Sequence, residues 1–99
     1  MNNNTKELLT VVMEECAEIQ KACSKSIRFG LRSHHPNRPD HTNGDEIVKE
    51  FYELSAIIEK LQSDGELPRY NQKYVSFIKS DKLKRMNQWA KKIKNNKRR

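Results

Sequence analysis

The chain is poor in cysteine, with only Cys16 and Cys23 among its 99 residues. They lie seven apart on one predicted helix, and no further ligand stands at the spacing of a zinc site, which argues against such a site. Seven helical residues also keep the two Cβ atoms too far apart and too poorly oriented for a disulfide. We therefore predict that both are small core residues, and nothing in them indicates an oxidising compartment.

Long apolar runs are also lacking, since hydrophobic residues make up 34% of the chain and charged residues 33%. No segment approaches the length and apolarity of a membrane span. The start of the chain lacks the charged and apolar regions of a signal peptide. We expect a cytoplasmic protein with no membrane partner. So thin a core in so small a chain predicts association with further copies, as a homodimer or homotetramer.

Sustained strand-like alternation is absent, which predicts the all-α class. Apolar residues instead recur at spacings of three and four, and they predict helices over residues 5–29, residues 45–63 and from residue 71 or 74 to 93. Asn4 is the predicted cap of the first helix. Two glycines and two prolines predict a long loop over residues 30–45. We expect an antiparallel helical bundle of three main helices, completed by oligomerisation.

The predicted domain covers residues 1–94, and residues 95–99 form a basic tail. Acids are almost missing from residues 79–99, where ten Lys or Arg stand against one Asp, whereas residues 1–78 hold ten bases and twelve acids. The net charge of +7 therefore belongs to the last helix and its tail. Two interpretations stay open, a solvated end or a weak attraction for polyanions. We do not expect nucleic acid as a partner.

Two pairs of glutamates spaced three apart are the main candidates for a site, Glu15 with Glu18 and Glu50 with Glu53. Residues three apart share a helix face, so two facing helices could direct four carboxylates to one point. Four such groups repel one another unless a divalent cation lies between them. On a helical wheel Glu50 falls within the apolar sector, where an unpaired carboxylate is costly to bury.

Two explanations of these acids remain open on the residues alone. One is a metal site, and the other is a set of structural salt bridges with Lys21, Lys25 or Lys49. A di-iron bundle would need Glu-x-x-His on its helices, and no histidine follows any of the four glutamates at that spacing. A metal site here would therefore use only oxygen ligands and favour a hard cation such as magnesium.

The two acidic motifs, together with the polar loop between them, resemble the MazG-like all-α nucleoside triphosphate pyrophosphohydrolases, in the form found in small phage-encoded members. That family's pattern is E-E-x-x-E, about thirty residues of helix end and loop, then E-x-x-D. The resemblance covers about residues 8–61. It rests on these runs: Glu14-Glu15-Cys16-Ala17-Glu18-Ile19, Lys25-Ser26-Ile27-Arg28-Phe29-Gly30 and Glu50-Phe51-Tyr52-Glu53-Leu54.

The resemblance implies that Glu15, Glu18, Glu50 and Glu53 hold Mg²⁺ and form the catalytic site. It also implies hydrolysis of a nucleoside triphosphate between its α- and β-phosphates, which releases a monophosphate and pyrophosphate. Glu53 departs from the pattern, because the family has Asp there and the extra methylene shifts the carboxylate oxygens. Magnesium is strict about geometry, so the departure bears on the rate.

Four further residues are candidates for substrate binding, and each has a structural alternative. Lys25 and Arg28 could hold the polyphosphate, although Arg28 could equally cap the helix C-terminus. Asn43 could contact the nucleotide or cap the second helix. Lys82 could reach a phosphate, but its place on an apolar stripe favours a snorkelling side chain. The loop histidines, His34, His35 and His41, we expect to be exposed.

A second class of function fits the same sequence. A small basic helical module could bind nucleic acid or a protein through its last helix, with purely structural carboxylates. The two hypotheses differ in what they require. The enzyme needs the glutamates for activity, whereas the binding module needs the basic residues of the third helix and its tail.

Overall fold

A computed structural model describes residues 1–97 of the chain, and Arg98 and Arg99 of the predicted tail lie outside them. It contains three helices: α1 (Asn3–Phe29), α2 (Asn43–Ser63) and α3 (Gln72–Lys97). Over the described residues there is no strand, and the only β-type pairing is an isolated bridge between His34 and Thr42. The all-α prediction is confirmed for this part of the chain.

Helix α1 begins two residues before its predicted start, and its cap differs from the predicted one. The Oδ1 of Asn2 accepts a hydrogen bond from the backbone N–H of Thr5 at 2.7 Å. The prediction of Asn4 as the cap was therefore wrong, because Asn4 already lies within the helix. The helix ends at Phe29, as predicted. Gly30 has φ +100°, a conformation that residues with a Cβ rarely adopt.

Helix α2 starts from a reciprocal cap between Thr42 and Asp45. The Thr42 hydroxyl accepts from the Asp45 backbone N–H at 3.0 Å, and the Asp45 carboxylate accepts from the Thr42 N–H at 2.9 Å. The hydrogen bond from the Thr42 backbone N–H to the Asp45 carboxylate is the main cause of the lowered pKa of Asp45, and an interaction with the Thr42 side chain lowers it further. The cap is thus Thr42, and Asn43 is left available for another role.

The first compact unit of the chain, Met1–Pro68, contains α1 and α2 packed against each other. Lys25 and Asn43 line one cavity near the loop, whereas the carboxylates of Glu15 and Glu50 lie within 4.8 Å of each other farther from it. Late residues of α1 therefore lie near early residues of α2, and earlier residues of α1 lie near later residues of α2. The two helices are antiparallel.

The core of this unit is thin, as predicted from composition. Ala22 and Leu61 are its only buried hydrophobic residues within the described chain, and Leu61 is fully enclosed. Both cysteines are free, and Cys16 is exposed while Cys23 is half-buried. The prediction that both are core residues was wrong for Cys16, because α2 covers a neighbouring face of α1 that includes Ala22 and Ser26.

The loop between α1 and α2 is fastened at its base by three hydrogen bonds. Asn43 donates its backbone N–H to the Ser33 carbonyl at 2.8 Å and its Nδ2 to the Gly30 carbonyl at 2.9 Å. Gly44 donates to the Leu31 carbonyl at 2.9 Å. The buried Asn43 therefore holds the end of α1 to the start of α2, which fixes the loop beside the acids of both helices.

The second compact unit, Arg69–Arg99, consists mainly of α3. Asn71 accepts the Tyr74 N–H through its Oδ1 at 2.8 Å, just before the first turn. The helix is continuous through Ser80 and Asp81. It includes residues 95–97 of the predicted tail. Among residues 1–97, no helix combines the length and the apolarity needed to cross a bilayer.

Candidate metal centre

Three of the four predicted carboxylates converge between α1 and α2. Glu15, Glu50 and Glu53 each place a carboxylate oxygen within 4.8 Å of the others, and we call these residues the acid cluster. Glu50 is buried, Glu15 is half-buried and Glu53 is exposed. Glu18 is not among them, although it lies only one helical turn from Glu15.

Glu50 is the electrostatic centre of the cluster. Its hydrogen bond with Glu46, its burial and its hydrogen bond with Glu15 raise its pKa to about 7, and the charges of Glu53 and Glu15 add to the effect. A carboxyl group with these neighbours holds a proton near neutral pH, because the charged form faces other carboxylates. A divalent cation that binds the Glu50 carboxylate would displace this proton.

Glu46 links the cluster to the loop. Its Oε2 lies 2.6 Å from Nε2 of His41, and this hydrogen bond is the main cause of its lowered pKa. Burial acts in the opposite direction, and a hydrogen bond with Glu50 lowers the pKa further. Glu46 is therefore the ionised member of this pair and accepts a hydrogen bond from the protonated Glu50. The hydrogen bond with His41 stabilises the ionised form of Glu46.

The residues of the cluster fit a hard divalent cation. The Oε2 atom of Glu15 is buried and has no hydrogen-bond partner within the described chain, which is an uncommon state for a buried carboxylate oxygen. Three carboxylates with no histidine or cysteine among them form an all-oxygen donor set. That set suits magnesium or calcium better than a softer metal.

One of the three lysines considered as salt-bridge partners, Lys49, does lie close to two acids of the cluster. Nζ of Lys49 lies 3.1 Å from Glu53 and 3.8 Å from Glu50. The hydrogen bond to Glu53 is the first cause of the raised pKa of Lys49. Its side chain is 51% exposed, so it is free to move away from the cluster when another cation enters.

A cavity of about 460 Å³ opens beside the cluster, towards the loop. This volume lies in the range of small-molecule sites, about 300–1,000 Å³. Its wall carries cations from both α1 and the loop, together with amide, hydroxyl and imidazole groups. The lining residues are Glu18, Lys21, Ala22, Lys25, His35, Asn37, Arg38, His41, Thr42, Asn43 and Glu46.

The structure separates the four predicted substrate-binding residues into three groups. Lys25 and Asn43 line the cavity, although the side-chain amide of Asn43 also donates a hydrogen bond to the Gly30 carbonyl. Arg28 does not line this cavity, and its guanidinium lies 5.1 Å from the centroid of the Phe29 ring, in the last turn of α1. Lys82 is an exposed residue of α3, in the second unit.

Several residues of the site were not singled out from the sequence. Glu46 could have been found from its place four residues before Glu50, which puts both on one helix face. His41 was expected to be exposed with its neighbours but is half-buried against Glu46. Lys21 was considered only as a salt-bridge partner of the glutamates, and Arg38 gave no pattern, because it reaches the cavity only through the path of the loop.

Comparison of the chain with protein-family models, with curated proteins and with solved structures finds no match. The family resemblance of the acidic motifs therefore stays a prediction.

Proposed function

We propose that the protein is a magnesium-dependent nucleotide pyrophosphohydrolase, which cleaves the α–β phosphate bond of a nucleoside triphosphate. The observation that carries this proposal is the convergence of Glu15, Glu50 and Glu53 from two helices, with Glu50 buried among them. Burying an acid against other acids is costly in a protein with so small a core. A cation bound between these carboxylates would offset that cost.

The three residues of the acid cluster would hold the magnesium ion. Magnesium bound there would neutralise phosphate charge and make water a stronger nucleophile. Glu15 would use the oxygen that has no partner, and Glu50 would give up the proton it shares with Glu46. Once Glu50 is ionised it no longer shares a proton with Glu46, and the hydrogen bond with His41 keeps Glu46 in place.

The cavity beside the cluster would hold the substrate. Lys21, Lys25 and Arg38 present three cations to it, which suits a chain of phosphates. Water attacks the α-phosphorus, the bond to the bridging oxygen breaks, and pyrophosphate leaves with that oxygen. Glu18, an exposed acid on the cavity wall, would accept the proton of the attacking water.

We further propose that copies of the chain associate and complete a helical bundle. Support comes from the large apolar side chains that stay exposed on α1 and α2. Ile27 is 86% exposed, Met13 67% and Tyr52 65%. A specific interface of standard size buries about 800 Å² on each partner, and these faces offer apolar area to supply it. Light scattering coupled to size exclusion should give a dimer or tetramer mass.

The decisive experiment is a pyrophosphate-release assay over ribo- and deoxyribonucleoside triphosphates. We expect release with magnesium and none with EDTA, and the partner product should be the monophosphate. Glu50→Gln tests the same site, because it removes the central acid while keeping its shape. Folded protein that releases no pyrophosphate from any nucleotide would refute the proposal.

A further inference from the structure

Helix α3 carries its charge in a way that the proposed hydrolase does not use. Four lysines, Lys73, Lys84, Lys91 and Lys94, lie within about 80° of one another around the helix axis, and we call them the cation stripe. All four are exposed, and none forms an ion pair with a carboxylate among the described residues. The stripe extends about 31 Å along the helix at 1.5 Å per residue.

No acid of α3 lies within this stripe. The only acid of α3 is Asp81, which lies at the edge of that face and is engaged by Arg85, with Nε 3.0 Å from the carboxylate. Hydroxyl and amide groups stand between the lysines instead. Ser80 and Asn87 line an open groove with Lys84 and Lys91, so neutral hydrogen-bond donors alternate with cations along it.

The opposite face of α3 is apolar. Ile78, Met86, Trp89 and Ile93 lie roughly half a turn of the helix away from the stripe. A partner that packs on this apolar face would leave the cation stripe open. The two faces can therefore serve different purposes, and a polyanion on the stripe does not compete with assembly of the protein.

We propose that the cation stripe binds the phosphate backbone of nucleic acid, without reading its sequence. Regularly placed phosphates match a long row of cations with interspersed hydrogen-bond donors, and lysine contacts to phosphate carry no base information. An anionic membrane fits the helix less well. A membrane-surface helix needs one broad apolar face, yet Lys82 interrupts that of α3 and Phe77 lies on the other side of the helix.

This inference is independent of the proposed hydrolase, because it uses no residue of the acid cluster or cavity. The test measures binding of the full chain to a fluorescein-labelled 20-base-pair DNA duplex by anisotropy, between 50 and 300 mM KCl. Four phosphate contacts predict that the logarithm of the association constant falls with log salt at a slope of about −3.6. The double variant Lys84→Gln/Lys91→Gln should reduce that slope to about −1.8.

The matched control is Lys79→Gln/Lys92→Gln, which removes the same charge from other faces of α3. We expect it to keep the steep slope and to bind at least tenfold tighter than the stripe variant at the lowest salt. Circular dichroism checks the helix in both variants. Equal weakening by both variants would show that net charge alone acts, and would overturn the stripe. Tighter, stripe-dependent binding to phosphatidylserine vesicles than to the duplex would overturn the choice of partner.

Discussion

The two compact units of this protein use charge in opposite ways. Residues 1–68 carry eight Lys or Arg and twelve Asp or Glu, whereas residues 69–99 carry twelve and one. The first unit buries an acid, Glu50, beside other acids on facing helices. On α3 the lysines are spread over an exposed surface, and its one acid pairs with Arg85.

In this protein the position of a charge says more about function than the abundance of charge. The strong basicity of the second unit is the more visible feature in composition, yet exposed lysines cost nothing to keep in water. A buried carboxylate among other carboxylates is costly, so it persists only with a proton or a cation to compensate it. The first unit is therefore the better place to look for chemistry.

The largest expected effect comes from Glu50→Gln. Magnesium-dependent pyrophosphate release should fall at least about a hundredfold, because a ligand charge is lost and metal stabilisation amounts to several kcal/mol. Helix content by circular dichroism should not change. The matched control is Glu59→Gln, an exposed acid on the same helix and outside the cluster, which should keep full activity. Comparable activity in the two variants would show that the buried acid has no special role.

The pH dependence of stability should separate the free and magnesium-bound forms. The pKa of Glu50 is about 7 in the folded chain, above its ordinary value of 4.5. The contribution of protonated Glu50 to the stability of the fold is therefore fully present below pH 4.5 and is lost as pH rises through 7. The metal-free protein should consequently melt at lower temperature at pH 8 than at pH 6. Magnesium at a hundredfold excess over its Kd should add about 2.7 kcal/mol to the free energy of unfolding. Magnesium should bind more tightly at pH 8, where Glu50 is ionised, than at pH 6.

Differential scanning fluorimetry with magnesium or EDTA measures both effects. Glu50→Gln serves as the control, because it removes the titrating group and should flatten this part of the pH dependence. A magnesium-induced shift in melting temperature that is larger at pH 6 than at pH 8 would contradict the assignment of Glu50 as a ligand.

A smaller effect is expected from Lys49→Gln, which distinguishes a metal site from structural salt bridges. If the cluster holds magnesium, removal of the competing ammonium should tighten magnesium binding severalfold in calorimetric titrations. The free energy of unfolding with magnesium present should change by less than about 1 kcal/mol, since Lys49 is half-exposed. Lys60→Gln, whose ion pair with Asp64 lies at the end of the same helix, is the control. Weaker magnesium binding in Lys49→Gln would favour the salt-bridge explanation.

The smallest effect is expected on α3. Asp81→Asn removes its one carboxylate, from an ion pair with both side chains well exposed, and should change the free energy of unfolding by less than about 0.5 kcal/mol in urea titrations. Asp64→Asn removes the carboxylate that pairs with Lys60 at the C-terminal end of α2 and should have a similarly small effect. A loss above 1 kcal/mol in Asp81→Asn alone would show that α3 depends on its charges for folding.

Much of the helical fold could be predicted from local signals. The period of apolar residues located all three helices, and α1 and α2 end at the predicted residues because Gly30 and the Asp64–Gly65 pair stop them. The starts of α1 and α2 were each displaced by two residues. Several Asn and Thr side chains near each start can accept a backbone N–H, and only the folded geometry selects Asn2 and Thr42.

The candidate site was less predictable. Residues three apart on a helix diverge by about 60° around its axis, so spacing alone cannot say whether both members of a pair point at a facing helix. Glu50 and Glu53 both do so, whereas on α1 Glu15 joins the cluster and Glu18 lines the cavity. The crossing of α1 over α2 decides this difference.

Local periodicity and composition were enough to predict the all-α class, the approximate positions of the helices, the thin core and the segregation of charge. They could not show which acids meet, that Glu46 lies between His41 and Glu50, or that a loop arginine faces the cavity. Those contacts join residues distant in the chain. They depend on how two helices pack and how the loop between them is fastened, which no local pattern records.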